Sequence, residues 1–170
     1  DKLVGGTEDT TKYHEAKSND TIYVIFRALS TCAELERAVA EVSKVLKPSR
    51  KIVDTFVNKW YAFDIIWKLM MIRAKKAIAR LRDVWGGYSP TRFLASRCYS
   101  ARQIHRVFRT DLKKKLRLGY CITHPAWYRH HWAPYQSLRS KFLYALDSVL
   151  QWTPFWNLGE YSLYVYEKPE

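Results

Sequence analysis

The sequence predicts an α/β domain, and three observations carry that expectation. Residues 21–57 read as strand, helix, strand, a βαβ unit that implies parallel pairing and a right-handed crossover. Strand and helix patterns go on alternating after it. Between these parts lies a basic, amphipathic helical stretch with no heptad run and no apolar span of transmembrane length. A chain of 170 residues suits one domain with a core able to stand alone.

Taken in order, Thr21-Ile-Tyr-Val-Ile-Phe26 is β-branched and aromatic on both faces, so it reads as a buried strand. Ser30 or Thr31 is placed to cap the next helix, with Glu34 completing a capping box from Thr31. Leu35, Val39, Val42 and Leu46 recur at helical spacing, and Lys47-Pro48 ends the run. Lys51 to Val57 is the second strand. From Asp64 to Arg82 the spacing predicts one long helix. Ile66, Trp67, Met70, Met71, Ala74, Ala77, Ile78 and Leu81 share one side, and most of the cations lie opposite. Gly86-Gly87 breaks the chain and Ser89-Pro90 restarts it. Ser100 caps a helix through Phe108, Lys113-Lys-Lys115 reads as a solvated turn, and Leu116–Thr123 is a third strand. A helix over about 137–150 and an alternating strand, Tyr161–Tyr166, close the pattern.

Composition narrows the function classes. At 48% hydrophobic and 26% charged residues the chain is not intrinsically disordered. Three scattered cysteines (Cys32, Cys98, Cys121) make neither a disulfide scaffold nor a tetrahedral zinc site, and they fit a reducing, cytoplasmic compartment. The chain opens on Asp1 rather than Met, without a signal-like segment, and reads as processed or cut from something longer. The formal charge is +13, of which residues 61–120 carry +12. Such a block is a footprint for phosphate, in RNA or on an anionic membrane surface, or else a solvated helix face. The cations that would make such contacts are Lys68, Arg73, Lys75, Lys76, Arg80, Arg82, Lys113, Lys114 and Lys115.

The residues also carry a resemblance. Leu3-Val-Gly-Gly-Thr-Glu-Asp9, Asp20-Thr-Ile-Tyr-Val-Ile25, Ala28-Leu-Ser-Thr-Cys32, the helix ending Val45-Leu-Lys-Pro48 and the closing Leu158-Gly-Glu-Tyr-Ser-Leu-Tyr-Val-Tyr-Glu-Lys-Pro169 look like the C-terminal part of a class I S-adenosylmethionine-dependent methyltransferase of the type 11 group. The resemblance implies a partial Rossmann-like methyltransferase sheet, mostly parallel with its last strand antiparallel and helices on both faces. On this reading residues 1–170 form a single partial domain, with a basic helical insertion at about 60–97 that in this family often forms a substrate lid. By the same resemblance Thr7, Glu8, Asp9, Leu29 and Ser30 fall where the family contacts S-adenosylmethionine.

The chain departs from the family at three points. No Gly-rich turn follows a strand before residue 20, so the cofactor motif is missing. Gly6 stands where the adenine loop usually has aspartate, and Ser49-Arg50 replaces a Gly-Gly turn, so that Arg50 must fill a position suited to glycine. Alone, the chain is therefore expected neither to bind cofactor tightly nor to catalyse.

His105, His124, His130 and His131 have no carboxylate or Cys at metal-ligand spacing and are surface histidines or candidate bases. Trp127, Tyr128, Trp132, Tyr135, Trp152, Phe155 and Trp156 fit core packing, an apolar substrate pocket or base stacking.

Three readings of function follow. The first is the trailing part of a methyltransferase acting on a small-molecule or lipid-like acceptor. The second is a degenerate, non-catalytic methyltransferase fold binding RNA within a ribonucleoprotein such as a ribosome. The third is one subunit of a split methyltransferase, completed by a partner chain.

Overall fold

The computed structural model describes residues 11, 15–25, 28–87 and 95–170. Its centre is a four-stranded sheet in the order β1-β2-β6-β5, where β1 is Asn19–Val24, β2 Leu46–Val57, β5 Lys113–Tyr120 and β6 Tyr161–Glu167. β1 and β2 pair in parallel, with Ile22 opposite Ile52 and Val24 opposite Asp54. β6 runs antiparallel to both β2 and β5, so β1, β2 and β5 share one direction and only the last strand is reversed. The expected α/β fold, with its antiparallel last strand, is what forms.

Helices α1 (Leu35–Val45) and α4 (Ala101–Phe108) cover one face of this sheet. Leu35, Ala38, Val39 and Val42 from α1 meet Ile104 and Phe108 from α4 over Val24, Ile52, Phe56, Tyr164 and Tyr166. Phe108 stacks on Tyr166 with centroids 4.5 Å apart, and Phe56 meets Phe108 edge-on at 6.0 Å. On β6 burial alternates strictly, with Ser162, Tyr164 and Tyr166 facing this core. One carboxyl intrudes on it. Asp54 is fully buried between Val24 and Tyr164 in register, neither of its oxygens finds a well-formed hydrogen bond, and burial pushes its pKa well above the carboxylate range.

Helix α5 (Leu138–Leu150) lies beyond β5, capped by the Ser137 hydroxyl, which accepts from the Ser140 amide at 3.1 Å. Its buried Asp147 carboxylate accepts the Ile122 and Thr123 amides at 3.0 and 2.6 Å and ties the helix to the end of β5. Gly119 on β5 is required by close approach, since a Cβ there would sit 2.1 Å from the Trp156 carbonyl oxygen of the segment crossing the sheet.

Several expectations are corrected. The first strand starts two residues earlier and is an edge strand, with Tyr23 67% exposed, because nothing among the described residues pairs on its outer side. The Thr31–Glu34 capping box does not form: residues 29–31 make a 3-10 turn, and α1 starts after Glu34 without a side-chain cap. The box forms instead at Ser100 and Gln103, at the helix where Ser100 was expected to cap. β2 already begins at Leu46 and carries Ser49 at φ 57°, so Ser49, not Arg50, takes the left-handed turn position. Lys113–Lys115 is no turn. It opens β5, where pairing with β6 satisfies its backbone, and its exposed lysines blunt the sheet's outer edge.

The long helix predicted over Asp64–Arg82 is broken. α2 (Ala62–Met70) ends in a Schellman motif, in which the Arg73 amide donates to Lys68 O at 2.8 Å and the Ile72 amide to Leu69 O at 2.9 Å. Ile72 occupies the seat usually held by glycine, at φ 56°. A short α3 (Ala74–Ala77) and a 3-10 turn over 79–81 follow, and the small antiparallel pair β3 (Gly86–Gly87) and β4 (Ala95–Ser96) returns the chain to the sheet.

Candidate functional site

Open parallel sheets place their ligands beyond the carboxyl ends of the strands. Here that region is the turn after β1 and residues 58–63 after β2. Asn58 is buried and knits three segments together: its amide donates to Glu160 O at 3.0 Å, its Nδ2 to Gly159 O at 2.9 Å, and its Oδ1 accepts from Ser162 Oγ at 2.8 Å.

Above Asn58 sits a buried ionic cluster. Arg80 Nη2 donates to both carboxylate oxygens of Glu160, at 2.8 and 2.9 Å, and Nη1 donates to Asn58 O at 3.2 Å. Its guanidinium lies over the rings of Tyr61 and Trp85, 5.1 and 4.6 Å from their centroids. Asp64 receives Lys68 Nζ at 2.5 Å and Arg129 Nη2 at 2.7 Å, with Arg80 Nε 3.5 Å away. Tyr128 OH donates to Glu160 Oε2 at 3.0 Å. Burial by itself would lower the Arg80 pKa, but the Glu160 charge overrides it and holds the guanidinium firmly protonated. Burial likewise pushes Asp64 up, and the Lys68 contact together with the Arg80 and Arg129 charges more than reverses this, leaving its pKa below the usual value. Tyr61 and Tyr128 are raised by burial and by the Glu160 charge, so both keep their protons.

This cluster corrects the place assigned to Arg80. It is 1% exposed and cannot serve as a surface contact, because Glu160, eighty positions away, draws it inside. Lys68 is largely covered and committed to Asp64. Arg73, Lys75, Lys76 and Arg82 are exposed on the insertion, and Lys113–Lys115 are exposed on β5, where Lys115 pairs with Glu167 at 2.8 Å. The two basic groups do not merge. Lys113 is in register with Glu167 and hence with Lys51 midway along β2, whereas residues 58–82 leave from the end of β2, about 20 Å further along the strand.

Leu29 and Ser30 stand in a 3-10 turn that follows β1 in the chain, and both are fully buried. The segment after β4 (Ala95–Ser96) covers them: the Arg97 amide donates to Ser30 O at 2.8 Å and its guanidinium to Cys32 O at 3.0 Å. The Ser30 hydroxyl is buried without a hydrogen-bond partner. Thr7, Glu8 and Asp9 lie outside the described residues. Of the five residues that the resemblance assigns to the cofactor, only Leu29 and Ser30 are therefore described.

Two clefts flank residues 58–63. One, of about 480 Å³, is lined by Lys59, Trp60, Arg102, Gln103 and Asn157 beside the start of α4. The other, of about 400 Å³, is mainly apolar, with Phe63 and Ile66 on one wall and Ile122, Trp132 and Leu143 on the other, and Arg139 among its lining residues. Both are of the size that small ligands occupy. Sequence reasoning missed Asn58, Asp64, Arg129 and Glu160, whose roles depend on partners remote in the chain.

The remaining candidates fall into place around these clefts. Both ring nitrogens of His124 are engaged, with Pro125 O and Ser140 Oγ at 2.9 Å each, which makes it a structural pin. His105, His130 and His131 are exposed. The Cys121 thiol is pushed up to about 12 by burial and the nearby Asp147 charge, so it is no nucleophile. Trp132 packs on Trp67 at 4.6 Å and Trp156 is buried in the core, whereas Tyr135, Trp152 and Phe155 are exposed. Among the described residues no group of three or more His, Cys, Asp or Glu side chains is placed to hold a metal.

No protein-family model and no curated protein sequence matches this chain. Solved structures do. An S-adenosylmethionine-dependent methyltransferase from Methanosarcina mazei superposes with a TM-score of 0.57 at 9% identity, over 98% of this chain and 66% of its own. One from Thermotoga maritima gives 0.54 at 13% identity, over 98% and 63%. A Haloferax volcanii methyltransferase, solved in complex with the Trm112 methyltransferase activator, gives 0.50 at 16%, over 99% and 61%. The chain thus has a class I methyltransferase-like fold. It spans just under two thirds of the length of these three structures.

Proposed function

We propose that the chain is the trailing, substrate-side part of an S-adenosylmethionine-dependent methyltransferase, which gains its cofactor only when the leading part of the sheet lies against β1. The observation that carries this reading is the outer side of β1, a strand paired in parallel with β2 alone among the described residues, on which Tyr23 stands 67% exposed. Parallel strands are ordinarily buried on both faces. The buried Leu29 and Ser30 and the missing Gly-rich turn fit the same account.

In the completed domain bound S-adenosylmethionine would supply the methyl group, and this chain would chiefly hold the acceptor atom in line with it. The apolar cleft of Phe63, Ile66, Trp132 and Leu143 would take the hydrocarbon part of the acceptor, with Arg139 available to an anionic end. The leading part comes either from preceding residues or from a separate chain, and the activator-bound Haloferax neighbour is a precedent for a partner. Separation of the two basic groups weighs against a single RNA footprint.

The test is calorimetric titration of S-adenosylhomocysteine into the 170-residue chain, and into the same chain with the polypeptide that precedes or accompanies it in the cell. Saturable binding only in the completed form is expected. Saturable binding by the chain alone, or none in the completed form, overturns the proposal.

A further inference from the structure

The turn between α2 and α3 carries an apolar surface that the proposed reaction does not use. Ile72 is 93% exposed, Met70 71%, Leu69 51% and Met71 49%. Ile66 and Ile78 continue the run on either side, both half exposed or more. Ile72 stands at the left-handed position of the Schellman motif, where glycine would be the relaxed choice and a β-branched residue is a genuine outlier. The side chain is thus held outward at a cost to the backbone.

Arg73, Lys75, Lys76 and Arg82 surround this turn, all exposed, and no carboxylate among the described residues pairs with them. Asp64 is buried and already satisfied, and Asp83 is the one exposed acid between Ile66 and Trp85. Aliphatic residues at the tip with cations behind them is the pattern of a surface that lies in a membrane interface. Among the described residues no helix is long and apolar enough to cross a membrane, so the segment would lie on the bilayer.

We propose that residues 66–82 dock on an anionic lipid surface, with Met70, Met71 and Ile72 entering the acyl boundary and Arg73, Lys75, Lys76 and Arg82 meeting lipid phosphates. Charge complementarity favours an anionic bilayer. The chemistry of the tip favours lipid over RNA, since its most exposed residues are aliphatic and offer no ring for base stacking. Ile66 belongs both to this surface and to the wall of the apolar cleft, so docking brings the mouth of that cleft to the lipid.

The experiment is co-sedimentation of the full chain with vesicles of phosphatidylcholine alone, or containing about one third phosphatidylserine, at low and high salt. Binding to the anionic vesicles is expected, about tenfold or more above neutral ones, and weakened by salt. Replacing both lysines (Lys75→Gln with Lys76→Gln) should weaken it roughly 25-fold, at about fivefold per cation. Ile72→Gly is the decisive variant. It relieves the left-handed strain, so thermal stability is kept or raised, while the inserted side chain is lost and vesicle binding falls about tenfold. Absence of binding to anionic vesicles overturns the proposal. So does undiminished binding by Ile72→Gly, and so does a structured RNA competitor that strips the chain from anionic vesicles and whose own binding is lost in the Lys75→Gln, Lys76→Gln variant but kept in Ile72→Gly.

Discussion

Arg80→Met should destabilise the fold far more than a typical substitution of a basic residue. In the folded protein Arg80 neutralises Glu160 through two contacts under 3 Å, and both side chains are 1% exposed. Asp64 keeps Lys68 and Arg129 when Arg80 is removed, so its loss is small. Glu160 keeps only the Tyr128 hydroxyl against its carboxylate and becomes a buried charge without a counterion. Breaking a buried pair in this way costs about 3–5 kcal/mol. For a chain of this size that lowers the melting temperature by roughly 6–20 °C. Urea unfolding of wild type, Arg80→Met, Glu160→Gln and the double variant measures the effect and the coupling together. The double variant should be more stable than the sum of the single losses predicts, by about 2–3 kcal/mol. Limited proteolysis should open first within residues 62–87, which Arg80 fastens to Glu160 at the entry to β6. A loss below about 1 kcal/mol for Arg80→Met, or strict additivity in the cycle, would refute this reasoning.

Two further outcomes follow from the sheet. The Asp54 carboxyl is held neutral in the folded state but ionises near pH 4 when unfolded, so the folded state binds the extra proton above that pH. Stability should therefore fall as pH rises from about 4 toward the raised folded value, by up to about 1.4 kcal/mol per pH unit, and Asp54→Asn should flatten that slope in melts run across the range. Ser49→Gly should raise the melting temperature by roughly 2–4 °C, worth about 1 kcal/mol, because Ser49 sits at φ 57° and its exposed hydroxyl makes only a 3.5 Å contact to Glu170.

Where the pattern was local, the sequence could be read. The stripe Leu35, Val39 and Val42 places α1 because each of these residues faces the same sheet. The alternation of β6 is legible because the strand has one buried face. Asp64–Arg82 misleads for the opposite reason. Its wheel is regular, but Glu160 pulls Arg80 inward and a Schellman turn stops the helix at an isoleucine that carries no stop signal. Lys113–Lys115 looks like a solvated turn because three lysines in a row seldom form a strand interior, and only the register with β6 explains them. The candidate site was partly legible. The position of Leu29 and Ser30 at a strand end follows from the resemblance, but their burial depends on Arg97 arriving from the far side of the insertion.

The reversed strand has a consequence for how the molecule is made. β6 comes last in chain order yet occupies an interior place, between β2 and β5. Until residues 161–167 leave the translation tunnel, β2 and β5 have no common neighbour, and the core face keeps a gap where Tyr164 and Tyr166 belong. Glu160 arrives with that strand, so Arg80 also waits for its counterion. Of the described strands a shorter nascent chain can pair only β1 with β2, so this part of the sheet should be unusually open to chaperones and proteases until β6 is in place.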